Sequence, residues 1–275
     1  MLKSPIRWQG GKSRLREDII RRFPPHVLYA EVFGGGGWVL FGKERSKVEV
    51  YSDINAELVN FFRVIQEDWE ALAKRFEWAL YARDEFVRIL NRRDEERDPV
   101  TRAYDFYYRV YSHFGGKYND CDDWGYTRTK PAYDLSKVKE KFKLAHERLI
   151  GVYIENRSFE EVIPRYDSPD SFFYCDPPYL GLSGYLYKFD ETHHRKLREL
   201  LGGIKGKFLL SINDHPLIRE WYAPYVIEEV ETRYSIAKQL KGRQPAKELL
   251  ISNYPPAAEM PIDHKPGVKE RKDKG

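Results

Sequence analysis

The sequence predicts a doubly wound α/β fold, and three observations carry that prediction. A short apolar run at 28–33 leads into Gly34-Gly35-Gly36-Gly37 and then into an apolar stretch from Trp38. A second apolar run, 48–52, ends at an acid, Asp53. Strand and helix patterns resume after residue 150 and alternate to about 255. Strand, glycine turn, helix, strand and acid, in that order, are what βαβ units produce.

Each element has its own signal. Residues 13–22 follow the Gly10-Gly11 pair and read as a helix. Residues 28–33 form a buried strand, a helix starts near Trp38, and 48–52 form the next strand. Asn55 is a natural N-cap for the helix that follows. In that helix Leu58, Phe62, Ile65, Trp69, Leu72 and Phe76 recur at spacings of four and three. From 81 to 134 no period is sustained, and the charged stretch 91–98 reads as a solvated helix end or loop. Leu135, Val138, Phe142, Ala145 and Leu149 mark another amphipathic helix, stopped by Gly151. Strands follow at 152–155 and 172–175, then a helix at 193–201 closed by Gly202-Gly203, and a strand at 207–212. Asp214-His215-Pro216 opens a helix with proline in its first turn. Strands near 225–231 and 248–252 complete the sheet. The α/β pattern is therefore split: 1–61 and 151–255 carry it, 62–150 is an inserted helical and aromatic segment, and 256–275 is expected to be a disordered tail.

Composition narrows the function classes. The 275 residues carry a net charge of +4, which permits a nucleic-acid partner without demanding one. No run approaches a membrane span and the N-terminus lacks an apolar leader, so a cytoplasmic protein with no membrane partner is expected. Cys121 and Cys175 could form one disulfide, but two free thiols are expected, with Cys175 a small buried hydrophobe closing a strand. No Cys/His spacing matches a zinc site, and no metal is expected.

The most informative feature is Asp176-Pro177-Pro178-Tyr179, placed after the apolar run 172–175. Neither proline has an N–H and each is fixed in φ, so the turn is stiff and its carbonyls are free to accept. Asp176 adds an acceptor side chain and Tyr179 a flat face. A planar group with an amino substituent suits such a loop. The glycine run and Asp53 suggest a nucleoside cofactor, with the carboxylate accepting from ribose hydroxyls. The nicotinamide fingerprint fails, because Leu40 stands where its third glycine belongs. Gly11-Lys12-Ser13 resembles the end of a phosphate loop, but Ile6 stands at its first glycine. Trp8-Gln9-Gly10-Gly11-Lys12 is equally a turn before a helix or a ligand contact.

Together these stretches resemble the S-adenosylmethionine-dependent DNA adenine N6-methyltransferases of the Dam-like D12 class, alpha group. The resemblance is carried by residues 8–12, 31–37, 52–55 and 176–179, with 209–214 and 248–254 as closing strands. It implies a Rossmann-like mixed sheet in which the 62–150 insertion is the target-recognition region. It also implies S-adenosyl-L-methionine as cofactor and double-stranded DNA as partner. Trp8, Lys12, Phe33, Gly35, Gly37, Asp53, Phe159 and Asp176 would then hold the cofactor. Asp176, Pro177, Pro178 and Tyr179 would act on a flipped-out adenine. Ser158-Phe159 stands where the family commonly has Asp-Phe, which removes an acidic contact.

Arg109, Lys117, Tyr118, Asn119, Arg128 and Lys130 are the expected nucleic-acid contacts. They belong to a stretch where Arg102 and other bases interleave with Tyr107, Tyr111 and Tyr126. The 62–150 segment holds 18 basic and 17 acidic residues, so any basic patch there must come from arrangement. N4-cytosine or RNA methylation, and a non-catalytic nucleotide-binding domain, are the rival readings. A monomer is expected. The recognition sequence, and whether a cognate restriction endonuclease exists, are not set by the sequence.

Overall fold

The computed structural model describes residues 1–93, 95–113, 124–125, 135–182, 186–232 and 246–256. Seven strands form one sheet in the order β3-β2-β1-β4-β5-β7-β6. They are β1 (Leu28–Glu31), β2 (Val48–Ser52), β3 (Val152–Glu155), β4 (Ser171–Cys175), β5 (Lys207–Asn213), β6 (Val226–Thr232) and β7 (Ala246–Ser252). The five strands from β3 to β5 in that order pair in parallel, and β7 lies antiparallel between β5 and β6. This is the mixed Rossmann-like sheet that was expected.

Helices cover both faces. They are α1 (Arg16–Ile20), α2 (Trp38–Gly42), α3 (Ala56–Phe76), α4 (Arg83–Asn91), α5 (Pro99–Ser112), α6 (Val138–Leu149), α7 (Phe159–Tyr166), α8 (Glu191–Gly203) and α9 (Pro216–Trp221). The helix expected at 13–22 is confined to five residues, with Lys12 and Leu15 left in the turn before it. Asn55 caps α3 as expected, its side chain accepting from the Glu57 and Leu58 amides at 3.1 Å each. Residues 202–203 belong to the last turn of α8 rather than ending it earlier. The sequence reading missed α7. Its signal was Ser158-x-x-Glu161: the Glu161 carboxylate accepts from the Ser158 N–H at 3.3 Å. It also left α4 and α5 unassigned, where Asp98 and Pro99 begin α5 as cap and first residue.

Strand alternation sorts the core into two layers. On one face Ala30, Val50, Phe173, Cys175, Leu210 and Ile251 pack with α7, α8 and α9. On the other, Tyr29, Tyr51, Phe172, Tyr174, Leu209 and Leu250 pack with α2, α3, α5 and α6. The helices of 62–150 thus share one apolar layer with the sheet, and residue 62 falls inside α3. A buried ion cluster ties α6 to β2: the Arg148 guanidinium meets Glu49 at 2.6 and 2.9 Å, and Lys43 also reaches Glu49. Arg148 further donates to the Leu40 carbonyl at 2.8 Å.

Tyr107 and Tyr111, expected to help read bases, are core residues instead. Tyr107 is fully buried, stacked 5.6 Å from Phe61 and edge-on to Phe142. A phenol ring at that depth gains more from apolar burial than it could from a groove. The Arg102 guanidinium is paired with Glu57 at 2.7 Å. No helix among the described residues is long and apolar enough to cross a membrane.

Candidate active site

The C-terminal ends of parallel strands leave a crevice where chain direction switches, the usual place for ligands in such sheets. Here that crevice is a cavity of about 640 Å³. Trp8, Lys12, Phe33, Gly35, Asp53, Phe159, Asp176, Pro177, Pro178 and Tyr179 all line it. Positions 8 to 179 of the chain thus converge as the sequence reading required. Gly37 is not among the lining residues. It caps the start of α2 with φ +65°, and a Cβ there would stand 3.1 Å from the Phe41 ring.

At one end of the cavity, Asp53 follows β2. Its carboxylate accepts from the Gly35 N–H at 2.8 Å and from the Asn55 N–H at 2.8 Å. The first of these bonds holds the glycine turn, where Gly35 has φ +49° and so favours a residue without Cβ. The Tyr51 hydroxyl donates to the Gly35 carbonyl at 2.7 Å. Burial pushes the Asp53 carboxyl above its usual range, while the Asn55 and Gly35 amides pull it back. Beside it Phe33 and Phe159 stack at 5.6 Å, and Phe189 lies 5.5 and 5.6 Å from them. Phe189 carried no sequence signal.

At the other end, Asp176 follows β4. Its Oδ1 accepts from Lys12 Nζ at 2.6 Å and from the Ser211 hydroxyl at 3.0 Å. Ser211 in turn lies 3.0 Å from the Tyr174 hydroxyl. Among the described residues no hydrogen bond reaches Asp176 Oδ2, and the side chain keeps 17% exposure. Burial raises the Asp176 carboxyl, and the Lys12 ammonium opposes that shift. Lys12 also donates to the Tyr179 hydroxyl at 3.0 Å and lies 4.9 Å from that ring's centre. Lys12, expected at the cofactor, is thus bound to the Asp-Pro-Pro-Tyr loop.

Three further residues were given no role of their own from the sequence. Glu31, at the end of β1, is buried and accepts from Tyr29 Oη at 2.8 Å and the Leu40 N–H at 2.7 Å. Burial pushes its carboxyl up to about 8. Glu248 on β7 lies 3.4 Å from Lys12. His194 on α8 is buried, lowered by burial to about 4, and its ring bonds the Pro178 carbonyl, bracing the loop from behind. Cys175 is buried with its thiol raised by burial, as a core residue should be.

Of the expected nucleic-acid contacts, Arg109 is half-buried on α5. Lys117, Tyr118, Asn119, Arg128 and Lys130 lie outside the described residues, as does the tail from 257. No group of three or more His, Cys, Asp or Glu that could hold a metal ion occurs among the described residues.

Comparison with known proteins places the chain among related sequences. The chain is 26% identical to a DNA adenine methylase of Escherichia coli, over 89% of this chain and 93% of that protein. It is also 26% identical to the type II methyltransferase M.MjaIII of Methanocaldococcus jannaschii, over 92% and 99% of the two chains. A methylase of Salmonella typhi gives 26% over 92% and 96%. The profile of the D12 class N6 adenine-specific DNA methyltransferases matches residues 8–236, and the chain belongs to that family.

Proposed function

We propose that this site-specific DNA adenine methyltransferase binds S-adenosylmethionine in the cavity and methylates N6 of an adenine turned out of double-stranded DNA. One observation carries the residue assignment. Asp176 Oδ1 is tied back by Lys12 and Ser211 while Oδ2 stays open toward the same cavity that Asp53 and the three phenylalanines line.

The residues suit the cofactor. A half-buried carboxylate with spare acceptor capacity beside a cluster of flat rings fits a nucleoside with two ribose hydroxyls. Asp53 would hold the hydroxyls, Phe33 and Phe159 the purine, and Trp8 with the glycine turn the remainder. When bound, S-adenosylmethionine supplies a methyl group activated on a sulfonium.

The chain's own task is to make a poor nucleophile attack. The lone pair of an adenine amino group is delocalised into its ring. Asp176 Oδ2 and the Pro177 carbonyl, each accepting one N–H, would draw that nitrogen toward tetrahedral geometry and free the lone pair. They would also stabilise the positive charge that develops there. The nitrogen then carries one proton too many. Asp176, whose proton affinity burial raises, is placed to take it. Tyr179 offers a ring for the extruded base, offsetting lost stacking. We assign the 62–150 segment to recognition of DNA.

The test is to digest DNA from cells expressing the chain and identify the modified nucleosides. N6-methyldeoxyadenosine is expected, and it should vanish with Asp176→Ala. Methylation at cytosine, or adenine methylation that persists in the variant, would refute the assignment.

A further inference from the structure

One carboxylate under the Asp-Pro-Pro-Tyr loop has no part in that chemistry. Glu248 is 1% exposed, on β7, and register sets it opposite Asn213 at the end of β5. Its carboxylate lies 3.4 Å from Lys12 Nζ and takes a hydrogen bond from the Tyr179 hydroxyl. The same ammonium meets Asp176 at 2.6 Å and the Tyr179 hydroxyl at 3.0 Å. A single buried ammonium is therefore shared between two carboxylates, one facing the cavity and one behind it.

Sharing has consequences. A lysine given wholly to Asp176 would withdraw negative charge from the group that must accept from adenine. A Tyr179 hydroxyl without its acceptor would keep the Lys12 donor, but its ring would be held less firmly. Buried polar networks hold geometry only when each member is satisfied.

We infer that Glu248 is a positioning residue for methyl transfer: by holding Lys12 and Tyr179 it sets the acceptor strength of Asp176 and the placement of the ring beneath the target base. The inference rests on the role proposed for Asp176. The charged and titratable groups that act on Glu248 are Lys12 before α1, Tyr174 on β4, and Asp176 and Tyr179 on the following loop; on the β6 side Val230 stands opposite it. Burial raises both Glu248 and Asp176, and Lys12 opposes both shifts.

Carbon-13 labelling of aspartate carboxyls in the ligand-free chain, with Asp176→Asn for assignment, lets Asp176 be titrated directly. In Glu248→Gln a like charge is gone and the ammonium is no longer divided. Asp176 should then titrate lower by about half a pH unit or more. The acid limb of methyl transfer to unmethylated DNA should move the same way, with a rate loss of about tenfold. An unmoved Asp176 midpoint overturns the inference. If Glu248→Gln does not fold, Glu248→Met is compared in a Lys12→Met, Tyr179→Phe background, where both groups that Glu248 holds are already gone. Transfer equal to that of the Lys12→Met, Tyr179→Phe chain supports the inference, and a further tenfold loss overturns it. A shifted Asp176 in a chain that methylates no DNA would sink the proposed function while leaving Glu248's hold on Lys12 standing.

Discussion

Asp176→Asn separates acceptor chemistry from mere shape, because the surrounding network dictates how the amide must sit. Lys12 and Ser211 both donate to Oδ1, at 2.6 and 3.0 Å. An ammonium cannot tolerate an NH2 in that position, so the amide oxygen must take it. The NH2 then occupies the place of Oδ2 and confronts the adenine amino group donor to donor. Losing one aimed acceptor of this kind costs about 2.7–4 kcal/mol in the transition state, or roughly a hundred- to thousandfold in rate. The added repulsion argues for the upper end. Stability should suffer less, about 1–3 kcal/mol for a weakened charge-assisted bond, because Lys12 keeps Tyr179 and Glu248. The assay is transfer of labelled methyl to unmethylated genomic DNA with enzyme in excess. A urea titration and a cofactor-binding measurement run alongside. A rate within threefold of the unsubstituted chain would refute the acceptor argument.

Other consequences can be checked separately. Arg148→Met strips Glu49 of its bidentate partner but leaves it Lys43, so a loss of about 3 kcal/mol in urea unfolding is expected, at the low end for a broken buried pair; unchanged stability would show that the cluster does not bolt α6 to the sheet. Glu31 holds its proton up to about pH 8 when folded, against an ordinary value of 4.5. The folded state alone is protonated there between those values, so stability falls as pH rises through that window and levels off above it. Glu31→Gln should flatten the slope by as much as about 1.4 kcal/mol per pH unit, and parallel curves for the two proteins would contradict this. Arg109→Ala should weaken DNA binding several-fold and lower its salt dependence while sparing cofactor binding; equal DNA affinity at two salt concentrations would remove Arg109 from the interface.

Residues whose placement depends on local pattern were legible in the sequence. The Asp-Pro-Pro-Tyr turn, the glycine run before α2, Asp53 after β2 and the Asn55 cap each announce themselves within a few positions. What could not be read is pairing across the sheet. Ser211 and Glu248 appear in sequence as polar residues within apolar strands. Only the order β4-β5-β7 shows that they lie behind Asp176. Lys12 gave a similar difficulty: a glycine-flanked lysine suggests a ligand, and nothing local reveals that its partner is 164 residues away. The α5 aromatics misled for a different reason. Tyr and Phe suit both a core and a base-reading surface, and the choice is made by what α3 and α6 present to them.

The placement of Glu248 depends on the one strand that runs against the others. In a parallel strand only the C-terminal residues reach the crevice, as with Glu31 on β1 and Tyr174 on β4, which pair directly. Because β7 is antiparallel, an early residue of that strand lies beside the end of β5. Alternation then decides the face: Glu248 and Leu250 share one, Leu249 and Ile251 the other. A shift of one residue in the β5–β7 register would turn Glu248 away from Lys12 and drive an apolar side chain toward the ammonium. The apolar residues of β7 and the polar cluster beneath the loop therefore select the same register. The strand that completes the sheet also completes the setting of Asp176.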